Sequence, residues 1–257
     1  MQLARPGLTL FPMRYNLIPV LMTKVSNSTL GTKEPPAKEL QRRVLIVDDH
    51  PIFRDGITQL INHQPDMLVC GGVCSAAQAM SSVEELKPDM LIVDISINGT
   101  NGIELIKSIR AQYPALPALM LSSHDENLYA ERALRAGARG YIMKAEAPEK
   151  VIEAIRRVLD GALYLSEAIG GRLLDTFLNG RTSNGSGSAV DQLSDRELEI
   201  FHALGEGRST REIAMTLFLS VKTVETHRAH IKEKLNVQTA PELIRAAVEW
   251  VNSQSNK

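Results

Sequence analysis

Five side chains suited to phosphoryl chemistry stand where short apolar runs stop. Val44-Leu45-Ile46-Val47 ends in Asp48-Asp49, and Met90-Leu91-Ile92-Val93 ends in Asp94. Ala118–Leu121 ends in Ser122, and Gly140–Met143 ends in Lys144. Carboxylates packed together repel one another and stay ionised only beside a cation. An all-oxygen donor set with positions left for water suits Mg2+. In such a pocket a carboxylate oxygen beside a Lys can attack a phosphoryl group. Metal and ammonium offset charge on the phosphoryl oxygens, and the Ser hydroxyl donates a hydrogen bond. The product is an acyl phosphate on an Asp. One Asp after a strand is more often a turn residue or a helix cap. The joint pattern carries the reading.

Convergence of these groups requires parallel strands whose carboxyl ends share one rim, the place where open α/β sheets bind ligands. The four runs are short and largely apolar, the first mostly β-branched, as buried parallel strands are. Met67–Cys70 reads as one more strand. Helical patterns alternate with them: Ile52, Ile57, Leu60 and Ile61; then Ala76–Leu86; Gly102–Tyr113; Glu126–Ala136; and Pro148–Leu159. Five β/α alternations predict a parallel sheet covered on both faces, with flavodoxin-like strand order 2-1-3-4-5.

The texture changes after a further amphipathic helix, Ser166–Leu178. A run rich in Gly, Ser and Asn, residues 179–188, has no apolar pattern and reads as a flexible linker. Strand signals then vanish. Ser194 with Glu197, and Ser209 with Glu212, have the capping-box form. Ser220 opens a helix through Leu235, and Pro241–Val251 makes a fourth. Four short helices, the second and third joined by a tight turn at Phe218-Leu219, predict a helix-turn-helix module. With Val224, Ile231 and Leu235 inward, Lys222, Glu225, Thr226 and Ala229 face outward. Such a helix can enter a major groove, where Glu can accept from cytosine and a Thr methyl can touch thymine. Lys222 and Arg228 are the phosphate-contact candidates. His50 and His63 read as surface residues.

Composition narrows the classes without deciding among them. The chain has 257 residues, 44% hydrophobic and 23% charged, as in ordinary globular proteins. Lys+Arg number 29 against Asp+Glu 30, so any basic surface is local. No apolar run is long enough to predict a membrane span. Cys70 and Cys74 form neither a disulfide framework nor a zinc signature, and they read as small buried residues in a reducing compartment. The apolar stretch Leu8–Met22 is broken by Pro12, Arg14, Asn16 and Pro19 and fits neither a signal peptide nor an anchor. Met22 stands as an alternative first residue. Residues 1–41 read as a disordered N-terminal lead-in, polar and Pro-containing over 32–41.

Val44–Leu159 resembles a response-regulator receiver domain, and so a CheY-like fold. The resemblance implies that Asp48, Asp49 and Asp94 bind Mg2+ and that a sensor histidine kinase phosphorylates Asp94. Ser96 lends a backbone carbonyl to the metal. Ser122 and Lys144 contact the phosphoryl group, and Tyr141 is the aromatic of the switch. Two positions depart from the family pattern: Ile97-Asn98 replaces Met-Pro, and Ala145 follows the lysine where Pro is common. Neither removes a ligand.

Leu193–Val237 resembles the LuxR-type helix-turn-helix of the NarL/FixJ regulators. The match is carried by Leu193-Ser194-Asp195-Arg196-Glu197, Gly207-x-Ser209-x-x-Glu212-Ile213-Ala214, Ser220–His227 and Ile231-x-x-Lys234-Leu235. The implied DNA contacts are Lys222, Thr223, Glu225, Thr226, His227, Arg228 and Lys232. The resemblances imply a cytoplasmic, phosphorylation-controlled transcription factor that dimerises on double-stranded DNA. Residues 42–162 form the receiver, 163–190 the linker and 191–257 the DNA-binding domain. The expected switch surface involves residues 130–159. Such a protein is not an enzyme beyond slow loss of its own phosphoryl group. Aspartate-dependent phosphatases also use a strand-end Asp, but Asp94-Ile95-Ser96 lacks their second acid. A phosphorylation-independent DNA binder is the other alternative.

Overall fold

The computed structural model describes residues 41–178 and 189–255. Residues 1–40 of the expected lead-in and 179–188 of the linker lie outside them. All described residues belong to one compact unit.

The first half alternates strand and helix. Strands β1 (Arg42–Val47), β2 (Met67–Val73) and β3 (Met90–Val93) are followed by a two-residue ladder, β4 (Ser96–Ile97) and β5 (Thr100–Asn101). Then come β6 (Ala118–Ser122) and β7 (Gly140–Met143). The main sheet runs β2-β1-β3-β6-β7, all parallel. Leaving out the ladder, that is the expected order 2-1-3-4-5. β3 is buried along its whole length, as a central parallel strand must be. β2 continues past Cys70 to Val73, beyond its predicted end, because Leu45 to Val47 keep pairing with it after a register shift. Cys70 and Cys74 are free and only half-buried, not the fully buried residues expected.

Helices α1 (Pro51–Asn62), α2 (Ala76–Leu86), α3 (Gly102–Gln112), α4 (Glu126–Ala136) and α5 (Pro148–Leu159) fill the crossovers. Their starts are chemically marked. Ser75, Asn101 and Asp125 side chains accept from backbone amides of α2, α3 and α4. α1 and α5 begin on proline, whose missing N–H costs nothing there. α1 and α5 pack on one sheet face through Ile57, Ile61, Val151, Ile155 and Val158. α2, α3 and α4 pack on the other through Val83, Ile103, Ile106, Ala130 and Ala133. Cutting fully buried Ile61 to Ala would cost about 2–5 kcal/mol.

α6 (Glu167–Leu178) precedes the C-terminal module of α7 (Asp195–Gly205), α8 (Thr210–Thr216), α9 (Val221–Leu235) and α10 (Ala240–Ser255). Both predicted capping boxes form, at Ser194 with Glu197 and at Ser209 with Glu212. α10 runs longer than predicted at both ends. The apolar cluster on the α2–α3–α4 side is continuous with Leu193, Leu198, Ile200, Phe201 and Val224, so the C-terminal helices pack directly on that face.

Candidate functional site

The strand ends bring the predicted groups together. Lys144 Nζ lies 2.6 Å from Asp48 Oδ2 and 2.8 Å from Asp94 Oδ2, bridging two buried carboxylates. The Phe53 ring sits beneath that ammonium, with its centroid 4.4 Å away. Asp94 Oδ1 accepts the Ile95 amide at 2.7 Å. Burial raises the Asp94 carboxyl above its ordinary range, against the pull of Lys144. Burial raises Asp49 likewise, against the nearby His50.

The donor set fits a divalent cation. Asp48, Asp49 and Asp94 can each offer a carboxylate oxygen within a 4.8 Å cluster. Asp49 Oδ1 is closed off from solvent and accepts no hydrogen bond. A closed-off carboxylate oxygen without a hydrogen bond is costly unless a cation, or the His50 ring beside it, offsets its charge. His50 departs from its reading as a mere surface residue. It is largely exposed, yet its Nδ1 lies 2.9 Å from Asp49 Oδ1 and 3.3 Å from Asp48 Oδ1. His50 stands between the acidic pair and the first residue of α1, so the turn that carries the acids also carries the ring.

The ladder β4–β5 follows Asp94 at once and shapes the rim. Gly102 presses its Cα against that turn: a Cβ there would fall 1.9 Å from the Asp94 carbonyl oxygen. Sequence reading assigned Ser96 only a backbone role. Its Oγ also lies 2.9 Å from His124 Nε2 and donates to Glu199 Oε1 at 3.2 Å.

Ser122 is fully buried, and its Oγ accepts the His124 amide at 3.3 Å. Tyr141 is buried too, not half-exposed, and its hydroxyl donates to the His124 carbonyl at 2.7 Å. Burial pushes the Tyr141 phenol up and holds the His124 imidazole down at about 4. The His124 ring is therefore neutral at ordinary pH.

These groups meet the C-terminal module through α7. Asp195 Oδ2 pairs with Lys107 Nζ at 2.9 Å, and Asp195 Oδ1 with Arg132 Nη1 at 3.2 Å. Arg132 also donates to the Leu193 carbonyl at 2.7 Å. Glu199 is buried, with its Oε2 2.8 Å from Arg196 Nη1. Burial raises its carboxyl, against Arg196. Lys107, Arg132, Asp195 and Glu199 escaped the sequence reading, because each alone resembles an ordinary charge on a helix.

α9 turns Val224 and Ile231 fully inward, as predicted. Lys222, Glu225 and Thr226 are exposed, and Thr223, His227, Arg228 and Lys232 are half-buried. Thr223 contacts the capping Ser220 hydroxyl at 2.7 Å, and Thr226 Oγ1 donates to the Lys222 carbonyl at 3.0 Å. Arg228, the second phosphate-contact candidate, is held by neighbours within the module. Its Nη1 pairs with Glu225 Oε1 at 2.7 Å and also donates to Thr210 Oγ1 on α8.

Comparisons agree with this architecture. Residues 44–156 match the response regulator receiver domain, and residues 191–247 match the luxR family of bacterial regulatory proteins. The oxygen regulatory protein NreC of Staphylococcus carnosus (strain TM300) is 36% identical over 210 residues, covering 80% of this chain and 97% of NreC. A LuxR-family two-component response regulator from Aurantimonas sp. SI85-9A1 superposes with a TM-score of 0.50 at 31% identity, over 54% of this chain and 99% of that one. RcsB from Salmonella enterica serovar Typhimurium, bound to promoter rprA in the presence of phosphomimetic BeF3-, gives a TM-score of 0.53 at 26% identity, over 80% of this chain and 98% of its own.

Proposed function

Because the chain belongs to the NarL/FixJ response regulators, which join a receiver domain to a LuxR-type DNA-binding domain, we propose that Asp94 is its phosphoacceptor and α9 its DNA-reading helix. The observation that carries this is the Lys144 ammonium held between Asp48 and Asp94, beside the orphaned Asp49 oxygen. An Asp94 carboxylate oxygen forms the new O–P bond as the P–N bond of a phosphohistidine on the sensor kinase breaks. Lys144 turns from its two carboxylates to a phosphoryl oxygen, and Ser122 donates to another. Mg2+, held by Asp48, Asp49, Asp94 and the Ser96 carbonyl, supplies charge that offsets the phosphoryl oxygens. The chain then carries the group and catalyses nothing beyond slow loss of it.

The signal leaves through His124. Ser122 drawn to the phosphoryl group releases the His124 amide, and the His124 carbonyl and ring hold Tyr141 and Ser96. Ser96 in turn holds Glu199 on α7. Disturbing that chain of contacts frees the C-terminal module from the receiver, a shift between docked and released populations. The released form pairs as a homodimer on double-stranded DNA in the cytoplasm. RcsB captured on a promoter with BeF3- supports this coupling.

The test is treatment with Mg2+ and a small-molecule phosphodonor, followed by intact mass and DNA binding. Wild type gains one phosphoryl group and tighter binding, and Asp94→Asn gains neither. Equal DNA binding by both, with and without donor, would sink the reading in favour of a phosphorylation-independent binder.

A further inference from the structure

A second group of potential ligands lies away from the receiver pocket, on the DNA-reading helix. His227 and His230 stand three positions apart on α9, which places them on one face. Glu197 of α7 faces them. Each of the three can offer a ligand atom, and those atoms lie within 4.8 Å of one another. His230 Nδ1 is 4.0 Å from Glu197 Oε1.

Two details separate this cluster from chance proximity. His227 Nδ1 is closed off from solvent and has no hydrogen-bond partner. A buried imidazole nitrogen in that state needs a donor or a metal. Glu197 is also already oriented. Its Oε2 accepts the Ser194 amide at 2.8 Å and the Lys234 ammonium at 2.6 Å. Those contacts fix the carboxylate plane and leave Oε1 for the histidines. A metal-bound carboxylate is commonly held by such outer hydrogen bonds.

We propose that Glu197, His227 and His230 form a site for a zinc-class divalent cation. Two imidazoles and one carboxylate suit Zn2+, Ni2+ or Cu2+ and disfavour Mg2+, which takes oxygen ligands. Bonds of about 2.1 Å put tetrahedral ligands roughly 3.4 Å apart, so atoms lying within 4.8 Å of one another close by at most about 1.4 Å. The exposed His230 side chain can make that movement. The Lys234 and Arg196 cations oppose the incoming charge and limit affinity to the micromolar range. The fourth position is open to water. Since His227 also stands on the DNA-reading helix, occupancy ties α9 to α7 and links DNA binding to zinc.

The test uses the full chain carrying His50→Asn and Asp49→Asn, with Mg2+ in excess, so that the receiver pocket competes less for zinc. Zn2+ is titrated in competition with a chromogenic chelator, and Co2+ absorption reports the ligand type. The expected result is one zinc per chain at micromolar affinity, with a cobalt spectrum free of thiolate bands. His230→Asn, at an exposed position, should keep its thermal midpoint without zinc and lose at least tenfold in zinc affinity. Unchanged affinity in His230→Asn would overturn the site. So would thiolate bands, which would place the metal on Cys70 or Cys74, or no binding tighter than about 100 μM.

Discussion

Ser96 and Glu199, 103 positions apart in the chain, share a hydrogen bond of 3.2 Å. Ser96 lies just past the proposed phosphoacceptor, and Glu199 on the first helix of the DNA-binding module. The neutral His124 ring lies 2.9 Å from the same hydroxyl. One arrangement satisfies all three groups: His124 Nε2–H donates to Ser96, and Ser96 donates to Glu199. The receiver rim and α7 are thus joined by a directional chain as well as by apolar packing.

Ser96→Ala should weaken that junction while leaving the backbone carbonyl in place. A hydrogen bond to a charged partner contributes about 1.5–3 kcal/mol, which is roughly 10- to 150-fold in the docked-to-released ratio. Phosphorylation of Ser96→Ala should proceed normally. DNA binding without phosphodonor should rise. If it stays at the wild-type level, Ser96 is not part of the latch.

Glu199 gives the junction a pH dependence. Its carboxyl is raised when buried, so between the ordinary and the raised value the docked form holds a proton that the released form gives up. The Glu199 contribution to docking is then greatest below 4.5, the ordinary value for Glu, and is lost as pH climbs through the raised one. Glu199→Gln keeps a hydrogen-bonding side chain without the charge, so it should flatten this dependence and hold the domains together. A fluorescence distance between the two domains, followed against pH, checks both. A slope that is identical in Glu199→Gln would assign the effect elsewhere.

The receiver pocket was legible in the sequence because two separate signals coincide there. Short apolar runs such as Met90–Val93 mark buried parallel strands, and parallel strands deliver whatever follows them to one rim. The capping boxes were legible for a similar reason, since Ser194 with Glu197 is a local geometry that needs no tertiary partner. The junction was not legible. Lys107, Arg132 and Asp195 sit at positions any solvated helix could carry, and only docking buries Asp195 between two cations. The β4–β5 ladder was missed because two-residue strands have no period to read. The tie of Arg228 to Thr210 was not legible either, because the two lie 18 residues apart on different helices.

Magnesium should stabilise the receiver more as pH rises. Asp49 and Asp94 are both raised by burial, so without metal their own contribution to stability is greatest below their ordinary value of 3.8. That contribution is then lost as pH climbs through the raised values. Metal binding displaces those protons and is therefore tighter at higher pH. The thermal shift produced by Mg2+ should be larger at pH 8 than at pH 5, and Asp49→Asn should shrink it. A shift that is larger at pH 5 would contradict the pocket electrostatics.

Gly102→Ala should damage the pocket without touching a ligand. The added methyl would meet the Asp94 carbonyl oxygen, a backbone atom that cannot rotate away. The turn carrying Asp94 and Ile95 must shift, because Gly102 N also donates to the Ile95 carbonyl at 2.6 Å. The expected cost is about 1–3 kcal/mol in stability, as for overpacking elsewhere. Phosphorylation should slow in step with reduced Mg2+ affinity. Normal metal affinity in a folded Gly102→Ala protein would show that the turn relaxes freely.

Lys222 and Arg228 should separate on DNA although both are cations of α9. Lys222 is exposed and free to reach a phosphate, whereas Arg228 is engaged by Glu225 and Thr210. Lys222→Ala should weaken binding to specific and random DNA alike and reduce the salt slope by about one. Arg228→Ala should first loosen α8 from α9, seen as a lower thermal midpoint of the module, with a smaller change in salt slope. Glu225→Gln removes the charge that holds Arg228, so it should bring the arginine into play and tighten non-specific binding at low salt. Both alanine variants are compared at 50 and 200 mM salt on one specific and one random duplex. A loss at Lys222 confined to the specific duplex would contradict its phosphate role, and equal salt slopes for the two variants would mean that Arg228 leaves its partners on binding.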